Sequence, residues 1–397
     1  MAKNIFRHAT IRGISALVPK NEIRLEDELQ FFGGDIKKAR RVTKMAGIDR
    51  RRVAEAGVLA SDLCGQAAEN LFMGMGCERS SIDALIFVSQ SPDYAMPATA
   101  CILQDKLGLS HACAAFDVNQ GCSGYVYGLW LAFSLAESRA ASRVLLLAGD
   151  ALARSADQDN RIIAPIFGDC GTATLVEYTP EETVSWFMLG TDGSGAEALM
   201  VPAGGARLPL PPTPEEYAPY CERLRDANGA PWRLNRTYMD GGAVFDFTLN
   251  VVPDHISDLL RFAGTTPDHI DYLVLHQANR QIMQAIADKA GFPPEQASEQ
   301  VPPKVPMNTF SKYGNLAGAS IPAAICDALA GEVADSRRQL LLSGFGVGLS
   351  WASAILTTDH IWCSGMRDYE KPAGHPRPED ILAYWRRKIT GQGESSC

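Results

Sequence analysis

Histidine is scarce in this chain, seven in 397 residues, and its ten cysteines include no C-x-x-C pair. That shortage argues against a zinc site. Scattered thiols fit a reducing cytoplasm, with most of them small core residues and Cys397 a solvated tail thiol. Long apolar runs are missing too, so no segment reads as a membrane span. The N-terminus, Met1-Ala-Lys-Asn-Ile-Phe-Arg-His8, is polar and leads into a strand-like run, unlike a signal peptide. Positive charge is in deficit: the formal charge of −9 argues against general nucleic-acid binding, which needs a basic surface. What remains is an ordinary globular composition, 46% hydrophobic and 21% charged, in a chain long enough for two domains or one large fused unit.

Strand-like and helix-like segments alternate through the first half. Ile5, Ile11, Ile14 and Leu17 ahead of Pro19 suggest a first strand and turn. An amphipathic helix is expected over 60–75, a buried strand over 82–89 and a helix over 97–109. A strand over 114–119, a helix over 123–137 and a strand over 143–150 follow. This order implies a largely parallel sheet covered on both faces. Between the first strand and the first long helix lies a cationic stretch, Lys37-Lys38-Ala-Arg40-Arg41 to Lys44, followed by Arg50-Arg51-Arg52. It reads either as a solvated helix face or as the neighbour of a phosphate-bearing ligand.

The second half repeats the plan. Asp83-Ala-Leu-Ile-Phe-Val has a counterpart in Asp271-Tyr-Leu-Val-Leu, and Ser142-Arg-Val-Leu-Leu-Leu-Ala-Gly149 in Ser336-Arg-Arg-Gln-Leu-Leu-Leu-Ser-Gly344. Gly168-Asp-Cys-Gly-Thr-Ala-Thr-Leu and Gly346-Val-Gly-Leu-Ser-Trp-Ala-Ser follow in turn. Three ordered matches indicate a duplicated α/β unit with pseudo-twofold symmetry. The divisions are 1–178 for the first half, 179–357 for the second, with an inserted Gly/Pro/Arg-rich loop at about 203–235, and 358–397 as an extension. The repeat pattern stops beyond Thr358, and the extension holds one plausible helix, 379–389.

Chemistry could sit where polar residues interrupt this pattern. In Asp117-Val-Asn-Gln-Gly121-Cys122-Ser-Gly124 a cysteine occupies a turn between strand and helix. There, converging N–H groups and the helix dipole lower a thiol's pKa and favour thiolate; a buried structural cysteine is the competing reading. Strand 272–275 runs into His276-Gln277-Ala278-Asn279, at the strand end where α/β folds place their sites. Gly314-Asn315 opens a small-residue helix, and Phe345-Gly346-Val347-Gly348 can present backbone N–H groups to an anion. Taken singly, His276 could be a turn histidine and Asn315 simple turn chemistry.

Together these pieces resemble the β-ketoacyl-acyl carrier protein synthase III family of thiolase-like condensing enzymes. The resemblance rests on Cys122-Ser-Gly, Phe167-Gly168-Asp169, His276-Gln-Ala-Asn279, Gly314-Asn315…Ser320 and Phe345 to Trp351, in family order over roughly residues 5–357. It implies a thiolase-like α/β fold of two pseudo-twofold halves in a five-layered αβαβα arrangement. It implies Cys122, His276 and Asn315 as catalytic residues, the backbone N–H groups of Cys122 and Val347 as an oxyanion hole, and no cofactor or metal. CoA and phosphopantetheine thioesters would be substrates: an acyl-CoA loads Cys122, then a malonyl thioester, on acyl carrier protein or CoA, condenses with loss of CO2. Transfer of the acyl group to an oxygen or nitrogen nucleophile, and a non-catalytic partner subunit, are the alternatives.

Family carry-over also implies a cytoplasmic homodimer in which Met96, where phenylalanine is usual, reaches the partner's acyl pocket. It assigns Arg161, Asn279, Arg280, Phe345 and Gly346 to substrate binding. Arg41 stands where the family has a tryptophan on the CoA adenine, and Met45 where it has an arginine. Asp246 and Asp288 replace lysines that dock the carrier protein, leaving Arg280 and Lys289. Val347 replaces the middle glycine of its turn. With the long insertion and tail, these departures point to a specialised pathway rather than fatty-acid initiation.

Overall fold

Side chains of strand Ala84–Val88 alternate between two dry faces, so it is apolar throughout. In Ala84–Val88, Leu85 and Phe87 pack outward against helices Ala60–Met75 and Thr99–Lys106. Ile86 and Val88 pack inward against helix Gly124–Glu137. The structure, a computed structural model, describes residues 2–160, 163–226, 229–293 and 303–390. Its layers run from those outer helices through a six-stranded sheet to the inner helices Gly124–Glu137 and Ser320–Ala328. A five-stranded sheet follows, then the outer helices Gly241–Ala263 and Arg280–Lys289. This is the αβαβα arrangement. The inner helix 124–137 is apolar on almost every side because a sheet covers each of its flanks.

Strand pairing shows the duplication directly. Ala84–Val88 lies parallel to Arg143–Asp150, which is antiparallel to Cys170–Tyr178, itself antiparallel to Ala9–Val18. Tyr272–Leu275, Arg337–Gly346, Ser350–Asp359 and Ser185–Thr191 repeat those directions in that order. The sheets are therefore mixed, not largely parallel as the alternation suggested. After each central strand the chain returns through a connection without a crossover helix, long at 151–169 and tight at 347–349.

Both ends of the chain cross the division at 178/179. Ala2–Phe6 joins the five-stranded sheet beside Ser185–Thr191, with Phe6 packed edge-on to Phe187. Beyond Thr358 the chain forms a further strand, Trp362–Asp368, parallel to Ala9–Val18 in the six-stranded sheet. Each end thus covers a sheet edge with backbone hydrogen bonds. A last helix, Pro378–Thr390, buries none of its residues. Cys64, Cys122, Cys170 and Cys326 are buried, but Cys77, Cys113, Cys221 and Cys363 are only half-buried and Cys101 is exposed; Cys397 lies outside the described residues. Among the described residues no helix is long and apolar enough to cross a membrane.

The insertion is anchored rather than free. Arg233 pairs with Asp157 and Asp159, Arg223 with Asp159, and Asn160 donates to the Pro231 carbonyl at 2.7 Å. Ala230 and Trp232 pack with Ala156, Ile163 and Phe167. The insertion therefore stiffens the loop that ends at Phe167.

Candidate active site

Duplication puts two turns in equivalent places, each opening an inner helix. Cys122 precedes Gly124–Glu137 in the first half, and Asn315 precedes Ser320–Ala328 in the second. Glycines let the halves close on each other here. A methyl group at Gly344 would stand 2.8 Å from the Cys122 carbonyl oxygen, and one at Gly346 would stand 3.0 Å from its Sγ. At Gly121 it would meet the Val347 side chain at 2.3 Å. Residues 344–347 thus lie directly over the cysteine.

The thiol itself is buried, and burial pushes it up to about 12. The nearby Asp150 carboxylate adds to the rise, while the backbone N–H groups of Val347 and Cys122 oppose it. The turn was expected to favour thiolate; in the free protein desolvation outweighs those N–H groups and the sulfur is held as S–H. His276, at the end of strand Tyr272–Leu275, is buried and pushed down to about 3, again by desolvation. Its ring is neutral at physiological pH, stands edge-on to Phe345 with centroids 5.5 Å apart, and leaves Nδ1 without a partner among the described residues.

Asn315 is clamped from both sides. Its N–H donates to the Ile166 carbonyl at 2.9 Å, its carbonyl accepts from the Gly168 N–H at 3.1 Å, and Phe167 and Asn315 form a parallel bridge. A side chain at Gly168 would strike the Tyr313 carbonyl oxygen. The Asn315 Oδ1 accepts from the Ala317 N–H at 2.9 Å. That bond leaves Nδ2, a donor, as the free end of the amide.

Two cavities meet at the sulfur. One, of about 180 Å³, is lined by Cys122, His276, Asn279, Asn315, Phe345 and Gly346 among others. The second, of about 430 Å³, also reaches Cys122 and takes in Leu152, Val347 and Gly348 but neither His276 nor Asn315. Phe167 and Leu199 line both. Asn279 has a second task, capping helix Arg280–Lys289 through the Ile282 N–H at 2.9 Å.

Other candidate residues lie apart from this junction. Met96 is 82% exposed and lines neither cavity of this chain. Arg41 is exposed on helix Ile36–Ala46, and Arg280 packs its Cβ over Gly47 just beyond that helix. Arg161 and the side chain of Met45 lie outside the described residues. The arginines at 50–52 are taken up structurally. Arg51 pairs with buried Glu28, Arg50 with Glu22, and Arg52 donates to the Pro19 carbonyl and pairs with Asp368. The exposed cations nearby are Lys37, Lys38, Arg40, which pairs with Glu26, Arg41 and Lys44. Asp117, within the cysteine motif, caps helix Thr99–Lys106 through two backbone N–H groups at 2.7 Å.

Sequence reasoning missed Asp150. It is fully buried and accepts from the Gln90 N–H at 2.8 Å, the Ser89 hydroxyl at 3.2 Å and, across the halves, the Gly318 N–H at 3.1 Å. Burial pushes it up to about 6. A carboxylate closing the apolar run 144–149 was the available signal.

A duplicated αβαβα sandwich with a buried cysteine at the start of an inner helix defines the thiolase-like architecture. Comparison with known proteins narrows this. The family model described as 3-Oxoacyl-[acyl-carrier-protein (ACP)] synthase III matches residues 116–193, and that of its C terminal matches residues 260–358. A β-ketoacyl-[acyl-carrier-protein] synthase III of Rhodopirellula baltica is 32% identical over 87% of this chain and 97% of its own length. One from Chlamydia caviae is 35% identical over 79% and 87%. The crystal structure of a 3-oxoacyl-(acyl-carrier protein) synthase from Burkholderia xenovorans LB400 superposes with a TM-score of 0.82 at 38% identity, covering 93% of this chain and 99% of that one. The chain belongs to the β-ketoacyl-acyl carrier protein synthase III family, whose members are condensing acyltransferases.

Proposed function

We propose that Cys122 takes an acyl group from an acyl-CoA and passes it to the carbanion of a malonyl thioester, carried by acyl carrier protein or CoA. The observation that carries this reading is the junction. The nucleophile faces two cavities, and the smaller one brings His276 and Asn315 to it. In loading, Cys122 Sγ bonds to the acyl carbon, the acyl–sulfur bond of CoA breaks, and the thiol proton leaves with the CoA sulfur. The acyl chain lies in the larger cavity. A malonyl thioester then occupies the smaller one, its C–CO2 bond breaks, and the electron pair passes to an enolate oxygen. The Asn315 Nδ2 and the neutral His276 ring donate to that oxygen. The enolate carbon attacks the acyl group, whose oxygen is held by the N–H groups of Cys122 and Val347, and the cysteine sulfur leaves and regains a proton. The reaction calls for no resident cofactor.

A homodimer suits the surface. Strand Ala114–Val118 ends the six-stranded sheet with its outer edge unpaired among the described residues, and Tyr94 and Met96 stand exposed nearby in sequence. Light scattering should give twice the chain mass. The cytoplasm, where CoA and carrier-protein thioesters are made, is the proposed location.

The test is incubation with an acyl-CoA and a malonyl thioester. The expected outcome is acyl-Cys122 by intact mass, CO2 release and a β-ketoacyl product. Product on an added alcohol or amine without CO2 would favour plain acyl transfer instead. No acylation across a panel of acyl-CoAs would favour a non-catalytic subunit.

A further inference from the structure

The larger cavity is not a plain alkyl pocket. Its wall mixes apolar side chains, Leu152, Phe167, Leu199 and Val201, with polar ones, Gln90, Asn119, Ser155 and Thr237. Two of these form a pair whose hydrogens can be counted. The Ser155 hydroxyl donates to the Leu152 carbonyl at 2.8 Å. The Ser155 and Thr237 hydroxyls stand 3.1 Å apart, and Thr237 Oγ1 lies 3.5 Å from the Ser155 carbonyl. The single hydrogen of Thr237 therefore goes to one Ser155 oxygen or the other. Both hydroxyl hydrogens are spent inside the protein, and the Thr237 Oγ1 lone pairs receive no donor from the described residues.

Backbone structure holds the pair in place. The Thr237 N–H donates to the Ser155 carbonyl at 3.1 Å, where the chain returns from the 203–235 insertion. The insertion in turn is pinned to residues 157–160, on the same loop as Ser155. Gln90 and Asn119 add amide groups to the lining. The Gln90 Nε2 lies 3.5 Å from Asn119 Oδ1, and its Oε1 would stand 2.5 Å from a methyl group at Gly121, beside Cys122.

An unbranched alkyl chain pressed on this wall would strip water from oxygen acceptors and return nothing, an outcome that costs binding. A chain carrying its own O–H or N–H would satisfy them. We propose that the acyl group loaded on Cys122 bears a hydrogen-bond donor along its chain, a hydroxyacyl or amide-bearing acyl group, held by Thr237 Oγ1. The proposal rests on the reading of the larger cavity as the acyl site. It fits a cavity of about 430 Å³, far more than a two-carbon acyl group fills.

The experiment compares loading rates by intact mass for matched pairs, butanoyl-CoA against 3-hydroxybutanoyl-CoA and 4-hydroxybutanoyl-CoA. At least one hydroxyacyl-CoA should load about tenfold faster in kcat/KM than butanoyl-CoA, the worth of one good hydrogen bond with a desolvated acceptor. In Thr237→Val that ratio should fall to about one, and Thr237→Ser should restore it, which separates a lost hydrogen bond from a damaged fold. Loading of butanoyl-CoA as fast as both hydroxyacyl-CoAs would overturn the proposal while leaving the condensing reading intact. An unchanged ratio in Thr237→Val would overturn the assignment to Thr237. Failure of every acyl-CoA to load Cys122 would overturn the condensing reading and this proposal together.

Discussion

Replacing Asn315 by aspartate tests the enolate site with almost no change of shape. In the native turn Asn315 Oδ1 accepts from the Ala317 N–H at 2.9 Å, and a carboxylate oxygen can keep that bond. The other end changes from an N–H donor to an acceptor. Loss of one oxyanion donor costs about 100- to 1,000-fold in rate. The carboxylate also places a negative charge at hydrogen-bond distance from the developing enolate. Two unit charges about 3 Å apart at an effective dielectric of about 20 repel by roughly 5 kcal/mol. The expected loss of decarboxylation is therefore at the upper end, about 1,000-fold or more.

The same substitution carries an internal control. On the proposed mechanism acylation of Cys122 uses the backbone N–H groups of Cys122 and Val347, so acyl-enzyme should still form. The new carboxyl is buried, as Asn315 is, and once protonated it regains an O–H donor. Decarboxylation by Asn315→Asp should then rise as pH falls, whereas Asn315→Ala should show no such recovery. The assays are intact mass for acyl-Cys122 and CO2 release from a malonyl thioester between about pH 5 and 8. Retention of decarboxylation within about tenfold of the native rate at pH 8 would refute the amide orientation on which the reasoning rests.

Other substitutions divide the reaction further. Cys122→Ala should abolish acylation. His276→Ala should leave acyl-enzyme formation but block decarboxylation, and CO2 release at the native rate would contradict its role. Gly346→Ala puts a methyl group 3.0 Å from the sulfur, so loading should fall by about 100-fold or more, read by intact mass. Because burial pushes the Cys122 thiol up to about 12, iodoacetamide should alkylate the free protein's Cys122 slowly at pH 8 and faster towards pH 10; rapid alkylation at pH 7 would show that thiolate is already present. Stability should vary with pH through two opposed groups. His276 and His255 are pushed down to about 3 and about 4, so acidification from about 6.5 destabilises the fold as the unfolded chain takes up protons that these rings refuse. Asp150 and Asp169 are pushed up to about 6, so acidification from about 6 to 4 stabilises it. Asp150→Asn removes one compensating group, and the thermal midpoint should drop more steeply between pH 6 and 4 than in the native protein.

Much of this was legible in the residues because the duplicated strands are short apolar runs with clear punctuation. Residues 84–88, 143–150 and 272–275 could be placed, and His276 and Asn315 stand where the pattern breaks. Strand partnership was not legible, since an apolar strand does not state its direction or its sheet. Hence Ala2–Phe6 and Trp362–Asp368 cross to opposite halves, and the mixed sheets replace the parallel ones. The state of Cys122 was misread for a related reason. A turn and a helix start are local features, whereas the burial that pushes the thiol up depends on tertiary packing, in which Gly344 and Gly346, more than two hundred positions away, close on Cys122. Thr237 and Ser155 carried no motif at all, and only their shared cavity distinguishes them.

Duplication also explains why the chemistry divides as it does. Each half supplies one inner-helix turn, but the turns have diverged, carrying a thiol at Cys122 and an amide at Asn315, which the proposed mechanism uses as nucleophile and donor. The strand ends diverged in parallel. Val88 is followed by Ser89, whose hydroxyl serves Asp150, while Leu275 is followed by His276, which opens on the smaller cavity. On the proposed mechanism neither half alone holds both the nucleophile and the enolate site, so their separation must be fixed. Asp150 does this, accepting from Gln90 in its own half and from Gly318, three residues beyond Asn315, in the other. A buried carboxylate pushed up to about 6 is a costly way to hold two loops. Its bonds to both halves suit a role in holding the spacing of Cys122 and Asn315 rather than in adding stability.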